Sequence, residues 1–162
     1  MTAARQPAKP AGRGLVIALV LAAVLGPVIA AGADPLVVNA DTGLALSGYD
    51  PVAYFASQRP EVGKPGLEAT VDGAVWRFRN VGNLAAFKEH PDVYRPRFGG
   101  YDPVGISRNR SVPGNPLFWA IAGEKLYLFY SDKERRAFLA APARVLEAAE
   151  RRWPAVERSI AR

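Results

Sequence analysis

On either side of Asp72-Gly73 lie two short runs, residues 67–71 and 74–79, in which apolar positions recur at every second residue. Asp-Gly is a strong signal for a two-residue hairpin loop, because both positions accept a left-handed backbone at low cost. Trp76 and Phe78 then share a buried face, while Arg77 and Arg79 point the other way. Asn80 follows as a helix cap, and residues 81–90 are predicted to be helical, ended by Pro91, which restricts His90. A second hairpin is predicted over residues 118–122 and 125–130, around Gly123-Glu124. Ser131 or Asp132 caps a helix that runs through residue 140 and ends at Pro142. A last helix, about residues 143–153, is expected to stop at Pro154.

The second set of elements repeats the first. A shift of 51 residues lays Val75-Trp76-Arg77-Phe78-Arg79-Asn80 on Leu126-Tyr127-Leu128-Phe129-Tyr130-Ser131. The same shift lays Ala86-Phe87 on Ala137-Phe138 and Pro91 on Pro142. A shift of 52 lays Gly48-Tyr49-Asp50-Pro51-Val52 on Gly100-Tyr101-Asp102-Pro103-Val104. Asp followed by Pro reads as a cap and the first helical position. The first copy is expected to open a helical turn through Ala53-Tyr54-Phe55; the second meets Gly105 at once and is expected to be a bare turn. The fold class is therefore α+β: two ββα units forming an antiparallel sheet with helices packed on one side. The repeat spans about residues 48–98 and 100–153 of a single domain, residues 34–162.

The segment before this domain reads differently. Residues 1–14 hold Arg5, Lys9 and Arg13 and no acid, and an apolar run over residues 15–31 follows, broken late by Gly26-Pro27. Ala31-Gly32-Ala33 then offers small residues at the two positions a signal peptidase reads. Residues 1–33 are thus expected to be a signal peptide, with an uncleaved membrane anchor as the alternative, since the run is at the lower limit for spanning. Periplasmic or secreted localisation by the general route follows.

Export changes how the charge is read. The formal +6 comes from 21 basic and 15 acidic residues, and the three basic residues before Asp34 leave with the leader, so 18 against 15 gives +3. Such a balance supplies no electrostatic footprint for nucleic acid. The arginines at 95, 97, 108, 110, 135, 136, 151 and 152 read as solvated faces. Glycine and proline, 15 and 14 of 162 residues, favour short elements over long helices. Cysteine is absent and His90 is the one histidine, which excludes disulfides, zinc ribbons, iron–sulfur clusters and a thiol nucleophile. No G-x-S-x-G, P-loop, H-E-x-x-H or dinucleotide fingerprint occurs.

Residues 43–55, Gly-Leu-Ala-Leu-Ser-Gly-Tyr-Asp-Pro-Val-Ala-Tyr-Phe, resemble the opening of bacterial secreted YHS-domain proteins. The resemblance continues through Trp76-Arg77-Phe78, Tyr94-Arg95-Pro96-Arg97-Phe98-Gly99-Gly100-Tyr101 and Val112-Pro113-Gly114-Asn115-Pro116, and covers about residues 40–154. Related YHS modules accompany copper-transporting ATPases and metal-dependent hydroxylases, so the resemblance implies a metal-related context. Where the family commonly reads Gly-Gly-Tyr-Cys-Ala, this chain reads Gly99-Gly100-Tyr101-Asp102-Pro103. The family's loop cysteine is replaced by Asp102, a hard carboxylate, and tight cuprous copper binding is not expected.

Tyr49, Asp50, Tyr101 and Asp102 are the candidate ligand-binding residues, since a pseudo-twofold relation between the repeats would bring the two aspartates together. Tyr54, Tyr94, Trp76 and Trp119 add aromatics that line a pocket or build the core. Asp102 and His90 are the weak metal candidates; against this, two turn-capping aspartates and a histidine beside a helix C-terminus are explained by local structure alone. No catalytic residue is assigned and no cofactor beyond a metal ion is implied. The expected role is a non-enzymatic binding or accessory module with a degenerate metal site. The alternatives are a small enzyme or redox accessory using an Asp50/Asp102 pocket, and a structural protein–protein interaction domain. The expected partner is a small molecule or a periplasmic protein, with no nucleic acid, and with a membrane only if the leader is retained.

Overall fold

The computed structural model describes residues 35–160; the expected signal peptide, residues 1–33 with the Ala31-Gly32-Ala33 motif, lies outside them. The first unit contains α1 (Ala53–Ala56), β1 (Lys64–Val71), β2 (Ala74–Phe78), α2 (Val81–Glu89) and α3 (Pro91–Tyr94). The second contains α4 (Pro103–Ile106), β3 (Asn115–Ala122), β4 (Lys125–Phe129), α5 (Asp132–Ala140) and α6 (Pro142–Ile160). Tight helical turns, Leu46–Gly48 and Arg97–Gly100, precede the two series. The protein is α+β, and its strands pair within each unit as two small two-stranded antiparallel sheets, β1–β2 and β3–β4.

The two units agree in register as well as in order. Ala69 pairs with Trp76 and Val71 with Ala74 in the first hairpin; Ala120 pairs with Tyr127 and Ala122 with Lys125 in the second. Each ladder carries an irregularity at the same place, between Lys64 and Glu68 and between Asn115 and Trp119. Both loops have positive φ at both residues, 52° and 76° at Asp72 and Gly73, and 54° and 59° at Gly123 and Glu124. That is the loop whose twist matches the strands. Asn80 accepts from the Asn83 N–H and Ser131 from that of Glu134, so α2 and α5 start with equivalent caps.

Two buried clusters result. Trp76 and Phe78 pack on Phe87 in one, with ring centroids 4.9 and 5.1 Å apart. Tyr127 and Phe129 pack on Phe138 in the other, at 5.4 and 5.0 Å. The units are tied through β4, whose residues 126–129 are all buried. Leu126 and Leu128 enter the first cluster, and Tyr127 and Phe129 the second. Tyr54 adds a second tie: its ring meets Trp119 edge-on at 5.3 Å and its hydroxyl donates to the Pro116 carbonyl.

Three local expectations need correction. α4 is a helical turn, not a bare one, because Asp102 caps it and Pro103 occupies its first turn. Gly105 serves close packing there, since a Cβ would stand 3.3 Å from the Arg110 carbonyl oxygen and from the Val112 side chain. Pro154 does not end the last helix, which continues to Ile160 and is, at 19 residues, a long element despite the glycine and proline content. An interior proline costs about 3 kcal/mol. Val145, Leu146, Ala149, Trp153, Val156 and Ile160 form a stripe at helical spacing that packs on the second cluster and offsets it.

Trp76 and Phe129 are fully buried. Truncating either to alanine is expected to lower unfolding free energy by about 3–5 kcal/mol, measured by urea denaturation. A neutral Trp76→Ala would contradict this packing.

Candidate functional site

The two Gly-Tyr-Asp-Pro loops are positioned by unusual backbone. Leu46, Ser47 and Gly48 have φ of 51°, 50° and 83°, and Phe98, Gly99 and Gly100 have 55°, 58° and 85°. A left-handed Leu or Phe is disfavoured by contact of its Cβ with the following carbonyl. Burial of both side chains against the core opposes that cost. Each loop then turns its aspartate inward: Asp50 and Asp102 are 0% and 1% exposed.

Inside, the two carboxylates do the same work. Asp50 Oδ1 accepts from the Val52 N–H at 2.9 Å, and Oδ2 from the Arg79 N–H at 2.8 Å. Asp102 Oδ1 accepts from Val104 at 2.8 Å and from Gly105, and Oδ2 from the Tyr130 N–H at 3.1 Å. Each aspartate thus fastens its helical turn to the residue just past the end of its own hairpin. The backbone N–H groups of Asp50 and Asp102 are held in turn by the carbonyls of Glu61 and Val112.

The sites diverge beyond the carboxylates. In the first unit, Asn83 donates its side-chain amide to Asp50 Oδ2 at 2.7 Å. Buried Glu61 stands nearby, in ion pairs with Arg59 and Arg79. Hydrogen bonding from Arg59 holds the Glu61 carboxyl below its ordinary range. The shift of 51 replaces Asn83 by Glu134, Glu61 by Val112 and Arg79 by Tyr130. In the second unit these residues, with Asp102, Gly105 and Arg110, line a cleft of about 390 Å³. Burial pushes the Asp102 carboxyl above its ordinary value, against the backbone N–H groups that lower it, and the Glu134 charge raises it further. Glu134 itself is engaged by Arg108 at 3.3 Å.

The other candidates fall as follows. The hydrogen bonds of Asp50 stay within the first unit, and the cleft that Asp102 lines includes neither Tyr49, Asp50 nor Tyr101. Tyr49 and Tyr101 are half-buried, each bridging across its loop, to Val62 and Pro113. Tyr101 also lies against Trp153, at 6.1 Å between centroids. Tyr54 and Trp76 are core, with the Tyr54 hydroxyl driven upward in pKa by burial. Tyr94 packs edge-on against Phe55. His90 is exposed at the end of α2, beside Glu89. Arg110, Tyr130 and Glu134 were not singled out as a site from the sequence; the signal available was the change from Arg79 to Tyr130 and from Asn83 to Glu134 at the 51-residue shift, whereas Arg110 falls on Arg59.

The donor set does not fit a soft metal. Among the described residues no three His, Cys, Asp or Glu side chains gather. The chain has no cysteine, and Asp102 already accepts three N–H groups. No family model, curated protein or solved structure matches the chain.

Replacing Asp102 by alanine leaves three N–H groups without their acceptor and should cost about 1–3 kcal/mol on urea denaturation. A raised folded pKa also means that the folded state holds this proton more tightly. The Asp102 contribution is full below the unfolded value near 3.8 and declines as pH rises through the folded one. Stability of the native protein relative to Asp102→Asn should therefore fall with rising pH across that window. A difference that rises there would contradict the shift.

Proposed function

We propose that this chain is an exported, non-enzymatic binding module of the YHS type, acting in a metal-related setting without a soft-metal site of its own. One observation carries the reading: the same buried carboxylate is closed in by Asn83 in the first unit and faces a cleft in the second. Both carboxylates are buried, but the surroundings of the second line a cleft, so the first copy reads as structural and the second as ligand-facing. The cleft offers the carboxylates of Asp102 and Glu134, the Arg110 guanidinium and the Tyr130 side chain. These suit a small polar molecule that bears both a donor or cationic group and an acceptor. Because the Asp102 carboxylate is already committed to backbone N–H groups, it is a fixed acceptor rather than a free base.

The leader reading predicts a mature N-terminus near Asp34, checked by N-terminal sequencing of exported protein; retention of Met1 through Ala33 would contradict it. Native mass spectrometry of the protein taken from the periplasm should find a small retained molecule, lost in an Arg110→Ala, Tyr130→Ala double variant. The bare chain mass, or a bound mass indifferent to those substitutions, would overturn the assignment of this cleft. Against a chromophoric copper(I) chelator the mature protein should compete poorly, because it lacks thiolate and thioether donors. Tight stoichiometric copper(I) binding would contradict the loss of the family's soft site.

A small enzyme with Asp102 as general acid is a second reading, favoured by the raised pKa of that buried carboxyl. It differs in requiring turnover that Asp102→Asn abolishes.

A further inference from the structure

α6 has no equivalent of its length in the first unit, where α3 ends after four residues. Its extra turns create a groove of about 500 Å³ against α4 and α5. Val104, Ala137, Ala141, Val145 and Ala148 give this groove apolar walls. Small alanines keep it open. Around those walls stand Arg108, Arg144, Arg151 and Arg152; Glu134 pairs with Arg108 and Glu147 with Arg151, so two positive charges, those of Arg144 and Arg152, remain.

The arginines are not scattered. Arg144, Arg151 and Arg152 fall at i, i+7 and i+8, with Ala148 at i+4, which places the three arginines on one face of α6. Leu146, Ala149, Trp153 and Val156 pack on the core instead, with Val145 at the border between core and groove. Arg151 is paired to Glu147 within the helix, Arg152 donates to the Ala148 carbonyl, and Arg108 reaches Glu134. Arg144 makes no hydrogen bond or ion pair among the described residues. A groove that carries surplus guanidinium charge, one arginine of which has no acceptor, favours an anion; its apolar walls favour an anion attached to a hydrocarbon body.

We propose that the α4–α5–α6 groove binds a small organic anion, a carboxylate or phosphate on an aliphatic or aromatic body, with Arg144 as the main head-group contact. A cavity of this size is in the range of small-molecule sites and too confined for a nucleic-acid backbone track. The site is separate from the Asp102 cleft, so either can fail without the other.

The test is calorimetric titration of residues 34–162 with octanoate, octyl phosphate and inorganic phosphate. Both octyl anions, or one of them, should bind, which also identifies the preferred head group, and inorganic phosphate should bind at least about tenfold more weakly. Arg144→Ala should weaken the octyl anion about tenfold, while Arg97→Ala, outside the groove, should not. Circular dichroism checks that both variants stay folded. No binding of either octyl anion, equal binding of inorganic phosphate, or equal losses in the two variants would overturn the proposal.

Discussion

β4 is buried on both faces, and the rest of the structure depends on that. A strand in a two-stranded sheet ordinarily shows one side to solvent, as β2 partly does at Val75 and Arg77. In β4 the equivalent positions are Leu126 and Leu128, and they fill the core of the other unit. Burying a large apolar side chain is worth about 1.5–3 kcal/mol. Residues 126–129 therefore stabilise both clusters at once. Two hairpins that would be marginal in isolation become one fold because a single strand belongs to both interiors.

Repetition supplies the frame, and departures from it supply the chemistry. The aspartate ties, the hairpin loops, the helix caps and the aromatic triads recur at nearly constant spacing, as they must if each unit solves the same packing problem. Three substitutions, Asn83 to Glu134, Glu61 to Val112 and Arg79 to Tyr130, change a filled polar network into an open cleft. The longer α6 adds an arginine-lined groove on another side of the same unit. Both candidate binding surfaces are in the second copy, while the first copy's carboxylate is tied to Asn83.

Much of the fold was legible in the sequence because its signals are local. Asp72-Gly73, Asn80, Ser131 and the alternation of Trp76 and Phe78 each act within a few residues. The extent of α6 was not legible, because Pro154 is overridden by packing that comes from residues far apart in the chain. The same holds for α4, where Gly105 answers the return of Arg110 and Val112 rather than its own neighbours. Residues 126–129 read locally as one more apolar run; that Leu126 and Leu128 fill one core while Tyr127 and Phe129 fill the other is a tertiary fact. Of the candidate site, Asp102 was legible from its motif, whereas its cleft partners Arg110, Tyr130 and Glu134 come together only through the hairpin and the α5 cap.

The claim that β4 joins the two units into one cooperative structure is tested most directly by native-state hydrogen exchange across a denaturant series. Amides of Phe78 and Phe87 report the first unit, and those of Phe129 and Phe138 the second. The account predicts that all four exchange through one common opening, with the same free energy and the same denaturant dependence. Exchange of the first pair through a separate, smaller opening while the second pair stays protected would contradict it.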